Sequence, residues 1–299
     1  MDKLKAVEKM QEYIKEHAGE DDFTPEQVCD AAGYSRRHAD RMFKEYLGKT
    51  IQEYSNAVCL TAGAEELLRT KKAVVDIALE SHFWSHEGFT RSFRKRFGIT
   101  PSEYRDQKTA IPLFIQYPVS HYHILQNHQE VPMSKENLNL CMITAQEREK
   151  RKLIYLPSRK AKDYLSYCEE MGCEWEGLLN SIPEKMDTAA LLELPDFMVE
   201  EGFSKVAAGI EVPADYDKEL PKQYRVAELP ECTMLYFQSE PYEKPEDFGK
   251  AIESVYAASG KYEPAVYGYQ FAYEKAPAFN FGADSSIGAR IAIPALRIK

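Results

Sequence analysis

Two clusters of cationic side chains are the residues best placed to do chemistry. Residues 34–49 hold Arg36, Arg37, Arg41, Lys44 and Lys49 against Asp40 and Glu45. Residues 82–108 hold Arg91, Arg94, Lys95, Arg96, Arg105 and Lys108 against Glu87, Glu103 and Asp106. The chemistry such islands support is recognition of a polyanion, not bond making. Arg41 and Arg91 stand in comparable surroundings 50 residues apart. An arginine fork can donate to guanine O6 and N7 together, which reads sequence. Lys44, Lys49, Arg94 and Lys95 suit phosphates, which fix position without reading bases. Trp84 fits either a sugar-phosphate contact or simple packing at a turn.

A second set of candidates lies further on. Tyr267, Tyr269, Phe271 and Tyr273 alternate, so a regular strand across 265–274 would turn all four to one face. Their hydroxyls want partners if buried, which gives a polar-tipped aromatic cavity. Residues 111–299 hold 14 Tyr, 8 Phe and 1 Trp, with 20 Lys/Arg against 29 Asp/Glu. Aromatic faces and carboxylates together favour a lipophilic cation. Tyr155, Trp175 and Tyr236 join the candidate lining. Glu274 is the nearest carboxylate, although alternation turns it away from the aromatics. Arg290 either pairs with a carboxylate or selects an anion, so the ligand's charge stays open. His121, His123 and His128 have spacings that fit no standard metal site, and no metal is expected. No cofactor motif is present either.

The elements that must position these residues are of two kinds. Residues 1–107 read as helices. Leu4, Val7, Met10 and Ile14 have helical spacing. Thr24-Pro25-Glu26-Gln27 is a capping box with proline at the first helical position. Gly33 suits a left-handed turn, and Ser35 stands where a cap for the next helix belongs. Thr50-Ile51-Gln52-Glu53 opens a long helix running to about Leu68. The order then repeats: a short helix at Val74–Leu79, a turn at Ser81-His82-Phe83, and a helix capped by Ser85 with Phe89, Phe93 and Phe97 on one face. Thr100-Pro101-Ser102-Glu103 is a third capping box. Two helix-turn-helix units in tandem can enter successive major grooves, roughly 34 Å apart.

This stretch is similar to the DNA-binding domain of the AraC/XylS family. The resemblance rests on Ala32-Gly33-Tyr34-Ser35, Arg41-Met42-Phe43-Lys44, Leu47-Gly48-Lys49-Thr50, Asp76-Ile77-Ala78 and above all Phe93–Arg105. It implies transcriptional control, RNA polymerase as a partner, and Arg37, Arg41, His86 and Arg91 as base-contacting residues. An N-terminal DNA-binding domain resembles the Rob-like branch. One departure stands out: the second turn has His82 where the family usually has glycine. A left-handed histidine costs about 1 kcal/mol.

Residues 108–136, with Pro112, Pro118 and Pro132, read as a linker. From 137 the period changes to α+β. Strands are expected at 138–143, 151–156, 190–199, 205–212, 223–229, 232–238, 265–274 and 288–298, with helices at 161–180 and 246–258. Leu153–Ser158 echoes Met234–Ser239, and Ala208–Pro213 echoes Ala289–Pro294, as in a duplicated unit. Residues 137–299 resemble the GyrI-like effector-binding domain, chiefly through Tyr236–Glu243 and Ile293-Pro294. That resemblance implies a lipophilic ligand, often met by a central Glu, and a multidrug response.

The expected whole is multidomain: an all-α tandem helix-turn-helix domain, then an α+β duplicated domain. Its expected function is sequence-specific DNA binding modulated by a small molecule. The alternatives are a small-molecule sequestering protein with secondary DNA contact, or a hydrolase. The sequence has no Gly-x-Gly-x-x-Gly, phosphate-loop lysine, His-Glu-x-x-His or Gly-x-Ser-x-Gly, so it is not read as an enzyme. The net charge of −10 argues against a protein that coats nucleic acid over its whole surface. No apolar run has the length of a membrane helix. Met1–Lys5 lacks a signal-peptide core, and the expected location is the cytoplasm.

Overall fold

The computed structural model describes residues 3–20, 23–83, 85–119, 141–244 and 247–298. The chain forms two compact units, Met1–Gln129 and Glu130–Lys299.

The first unit is helical: α1 (Lys3–His17), α2 (Pro25–Ala32), α3 (Arg36–Leu47), α4 (Ile51–Arg69), α5 (Val74–Glu80), α6 (His86–Phe97) and α7 (Pro101–Gln107). The capping boxes expected at Thr24/Gln27, Thr50/Glu53 and Thr100/Glu103 all form. Glu53 and Glu103 accept from the threonine backbone and hydroxyl, which holds both carboxyls below their ordinary range. Ser85 caps α6 by accepting from Gly88 N at 3.0 Å. Ser35 sits at the N-cap of α3, but its side chain makes no capping bond.

The long helix α4 carries two cores, one on each half. Ile51, Tyr54 and Cys59 pack with α1, α2 and α3 around Val7, Met10, Met42 and Phe43. Leu60, Ala64 and Leu67 pack with α5, α6 and α7 around Ile77, Phe89, Phe93 and Tyr104. Gly63 lies at the tightest approach: a Cβ there would stand 2.9 Å from Ser81 Oγ and 3.0 Å from the Phe89 ring. The stretch expected as a linker begins instead as part of this unit. Ile111 and Leu113 are buried in the second core and Val119 in the first. Phe114 sets its ring edge-on to Tyr54 at 4.8 Å, and its N–H donates to Thr61 Oγ1 at 2.8 Å. The apolar residues Ile111, Leu113 and Phe114 are the signal the sequence offers; Pro112 masks it.

The second unit contains β1 (Cys141–Arg148), β2 (Arg151–Pro157), α8 (Tyr164–Met171), α9 (Glu174–Asn180), β3 (Ala190–Glu193), β4 (Val206–Pro213), β5 (Arg225–Leu229), β6 (Cys232–Ser239), α10 (Phe248–Lys261), β7 (Tyr269–Phe271), β8 (Ala278–Asp284) and β9 (Gly288–Arg297). The strands form one antiparallel sheet in the order β1-β6-β9-β8-β3-β4-β2-β5, with β7 on β9. The order is two-fold: exchanging β1 with β5, β6 with β2, β9 with β4 and β8 with β3 reproduces it. The helix expected across 161–180 is broken in two at Gly172, whose φ of 73° ends α8. The strand expected across 265–274 is reduced to three residues, because Pro264–Tyr267 forms a 3-10 turn and Gly268 is left-handed. The sequence echo of 208–213 with 289–294 is out of register by two. Glu211 pairs with Leu153, whereas Leu153's counterpart Met234 pairs with Pro294.

The two faces of the sheet differ. One packs against α10 through Leu235, Phe237, Val255, Ile291 and Ile293. The other carries Leu153, Tyr155, Leu192, Met234, Tyr236 and Phe279 and receives none of α8, α9 or α10.

Candidate nucleic-acid interface and ligand face

Helices α3 and α6 are both 12 residues long and begin 50 residues apart. Each is followed by a left-handed glycine, Gly48 at φ 71° and Gly98 at φ 78°. Arg41 and Arg91 therefore fall at the same position of their helices. Arg37, Arg41 and Lys44 are all exposed, and their spacing of four and three puts them on one face of α3. Arg41 Nη2 lies 3.2 Å from His38 Nδ1, and the His38 ring stacks on Tyr34 at 5.0 Å. Lys49 is half-buried, its Nζ 5.9 Å from the centre of the Phe114 ring.

On α6, His86, Glu87, Thr90, Arg91, Arg94 and Lys95 line, together with Thr100, one groove of about 560 Å³. Trp84 lies outside the described residues, as do His121, His123 and His128. Among the described residues no group of His, Cys, Asp and Glu could hold a metal.

The structure separates the cations of the two islands by role. Arg36 bridges Glu26 at 2.7 Å and Asp40 at 2.9 Å, and Asp40 accepts from Ile51 N at 3.1 Å. It ties α2, α3 and α4 together. Arg105 donates to the carbonyls of Leu67 at 3.1 Å and Lys72 at 2.8 Å, closing the end of α4. Arg96 reaches the Pro112 carbonyl at 3.4 Å. Arg37, Arg41, Lys44, Arg91, Arg94 and Lys95 form no ion pair among the described residues, so their charge faces solvent. Exposed cations outside any ion pair are free to meet phosphate.

The two turns match as well. Tyr34 N donates to Cys29 O at 3.1 Å, and Phe83 N donates to Ala78 O at 3.0 Å. Both are the six-to-one bond that follows a left-handed residue. Gly33 takes that conformation in the first turn and His82, at φ 59°, in the second.

The sheet unit does not assemble the aromatic set as alternation predicted. Tyr155, Tyr236 and Arg290 share the face away from α8, α9 and α10. Trp175 packs edge-on against Tyr167 at 5.7 Å, away from that cluster. Tyr269 and Phe271 belong to the α10 side. Tyr267 is 64% exposed and stacks on Tyr262 at 5.1 Å. Tyr273 and Glu274 border a separate groove of about 400 Å³ with Glu193, Asp196, Phe197 and Lys205. The short β7 explains the scatter: only three residues keep strand alternation.

On the side of the sheet away from α8, α9 and α10 lies a carboxylate that sequence reasoning missed. Glu211 is 4% exposed. It accepts from Arg151 Nε at 2.5 Å and lies 3.3 Å from Arg148 Nε. Arg151, 2% exposed, also donates to the Pro230 carbonyl at 2.7 Å. Arg148 donates to the Tyr236 hydroxyl at 2.6 Å. Burial pushes the Tyr236 phenol up to about 12. Asp187 accepts from Tyr236 at 3.3 Å and from Arg290 Nη2 at 2.6 Å. The signal was legible: Glu211 is the one charged residue in the otherwise apolar run Val206–Val212.

Residues 28–107 match a helix-turn-helix domain family. The transposon Tn10 TetD protein of Escherichia coli is 40% identical over 93 residues, 31% of this chain and 67% of that protein. The right origin-binding protein of Escherichia coli strain K12 is 44% identical over 78 residues, 26% of this chain and 27% of that protein. The chain thus spans little more than a quarter of the latter's length. A solved transcriptional regulator with an AraC-type DNA-binding domain from Chromobacterium violaceum is 29% identical, covering 34% of this chain and 91% of that one, with a TM-score of 0.32. None of these matches extends over most of the chain.

Proposed function

The chain belongs to the AraC family of helix-turn-helix DNA-binding transcriptional regulators, and on that premise we propose that α3 and α6 read two successive major grooves under control of a small molecule held by the sheet unit. The observation that carries the DNA half is the match of α3 and α6. They have equal length, a serine at the N-cap, a left-handed glycine after the last turn and a 50-residue offset, and both present exposed cations that form no ion pair among the described residues. The helix that spaces them, α4, has 19 residues and a length of about 28 Å.

In this reading Arg37, Arg41, His86 and Arg91 meet bases. Lys44, Lys49, Arg94 and Lys95 meet phosphates. Arg36, Arg96 and Arg105 stay with the protein. The sheet unit supports a GyrI-like duplicated domain through its two-fold strand order, with Tyr155, Tyr236 and Arg290 on the ligand face. The ligand acts by binding one state of the protein better than another, and its effect is bounded by that difference. RNA polymerase is the partner this role requires, and the cytoplasm its compartment. No helix among the described residues is long and apolar enough to cross a membrane.

The test is binding of the whole chain to DNA upstream of its own gene, against scrambled DNA, across a salt series. A genome-wide selection supplies the site if that segment lacks one. Arg41→Ala and Arg91→Ala should each cost about 1–3 kcal/mol of discrimination. Arg94→Ala should weaken both DNAs alike and flatten the salt slope by about one unit. If the Arg41→Ala, Arg91→Ala double variant discriminates as well as the parent, the base-reading assignment fails.

A further inference from the structure

The side of the sheet away from α8, α9 and α10 carries a charge cluster with more positive than negative groups. Arg148, Arg151 and Arg290 stand there against Glu211 and Asp187. A cation entering this face would meet an excess of like charge, and Glu211 is already engaged by two guanidiniums. We propose that the face binds a small aromatic carboxylate, with Arg290 taking the ligand's charge in place of Asp187. This rests on the effector-binding reading above and names the class of its ligand.

The geometry at Arg290 supports it. A guanidinium holds a carboxylate best through two parallel N–H donors. Arg290 Nη2 donates to Asp187 Oδ1 at 2.6 Å and lies 3.3 Å from Thr188 Oγ1, while its Nε is buried with no hydrogen-bond partner. Asp187 therefore occupies only part of what Arg290 offers. Deeper in, Arg148 Nε already faces the Glu211 carboxylate at 3.3 Å. Arg290 Nε is the donor that an entering anion would satisfy.

The rings beside Arg290 set the rest of the ligand. Its guanidinium lies 4.1 Å from the centre of the Phe281 ring. Phe281 stacks with Phe279 at 5.8 Å and with Tyr236 at 6.0 Å. Planar faces in this arrangement favour a flat aromatic body next to the charge. Access is from the Arg290 side: the side chains of Arg290 and Asp187 are 23% and 18% exposed, against 6% for Arg148 and 1% for Arg151.

The experiment is titration calorimetry on the whole chain with three probes of one shape: 2-naphthoate, 2-naphthamide and 2-naphthylmethylammonium. Naphthoate should bind about tenfold or more tightly than the amide. Arg290→Gln should erase that preference. Asp187→Asn should strengthen naphthoate binding, because the internal competitor has lost its charge. Thermal melts of both variants establish that they fold. If the pair were only a structural tie, both changes would weaken binding or leave it unmoved.

Preference for the ammonium probe, absence of naphthoate binding, or an Asp187→Asn variant that binds naphthoate no better each overturns the proposal. The effector reading fails separately. Arg290-dependent naphthoate binding that leaves DNA affinity unchanged keeps this site and removes that reading. A cation that binds instead and shifts DNA affinity does the reverse.

Discussion

The recognition helices of the two helix-turn-helix halves share a 50-residue offset in their N-cap serines, closing glycines and exposed arginines, but the halves differ in their cores. In the first half, α1 covers α2 and α3, and small Ala39 stands on α3 where Met10 and Ile14 fill the space. A polar tie helps: Gln11 donates to the Tyr54 hydroxyl at 2.9 Å. Among the described residues the second half has no covering helix of that kind. At the position matching Ala39 it has Phe89, and a chain of rings fills the gap. Phe83, Phe89, Phe93 and Phe97 follow at centroid spacings of 5.2, 5.5 and 4.7 Å, with Tyr104 5.7 Å from Phe93. Caps and exposed arginines repeat because the backbone and the polyanion make the same demand twice. Core residues diverge because each half is covered by something different.

The sharpest way to break the comparison is at Gly63, where the second half meets α4. Phe89 is fully buried, so its ring cannot retreat from a new side chain. Gly63→Val should cost about 2–3 kcal/mol by overpacking. Hydrogen exchange should then show α5, α6 and α7 losing protection while α1, α2 and α3 keep theirs. Equal loss in both halves would mean that α4 makes them one cooperative unit, and that the two cores are separate only in name.

The N-caps of the recognition helices give a smaller contrast. Ser85 makes its capping bond and Ser35 does not. Ser85→Ala should cost about 1 kcal/mol and Ser35→Ala less than about 0.5 kcal/mol. Thermal melts of the two variants measure the difference. Equal losses would mean that Ser35 caps α3 in solution and that the halves are more alike than their side-chain bonds indicate.

These contrasts also mark how far the sequence could be read. The first unit was legible because its signals are local. A threonine three residues ahead of a glutamate, or a glycine after a helix, states its purpose within four positions. The segment 111–119 was missed because its partners Gln11, Tyr54 and Thr61 are 50 or more residues away. In the sheet unit most strands lie within a few residues of their expected places, yet the four aromatics do not share one face. Tyr267, Tyr269, Phe271 and Tyr273 alternate on paper, but one proline and one left-handed glycine end the alternation. Glu211 meets Arg151 through the pairing of β2 with β4, strands whose contact spans about 60 residues of chain and which no local pattern discloses.

The finest contrast is between Gly33 and His82, which do the same backbone work with different side chains. A Cβ at Gly33 would meet nothing within 4 Å, so Gly33→His isolates the backbone cost of a left-handed histidine. That change should destabilise the first half by about 1 kcal/mol. His82→Gly should return part of that, about 0.5 kcal/mol, because added freedom in the unfolded chain offsets some of the relief. The imidazole has little to lose: its Nε2 is buried with no hydrogen-bond partner. Paired melts of the two variants test the equivalence of the turns. If His82→Gly destabilises, the ring makes packing contacts that outweigh its backbone strain. The second turn would then be held by its side chain where the first is held by its backbone, extending to the turns the divergence already seen in the cores.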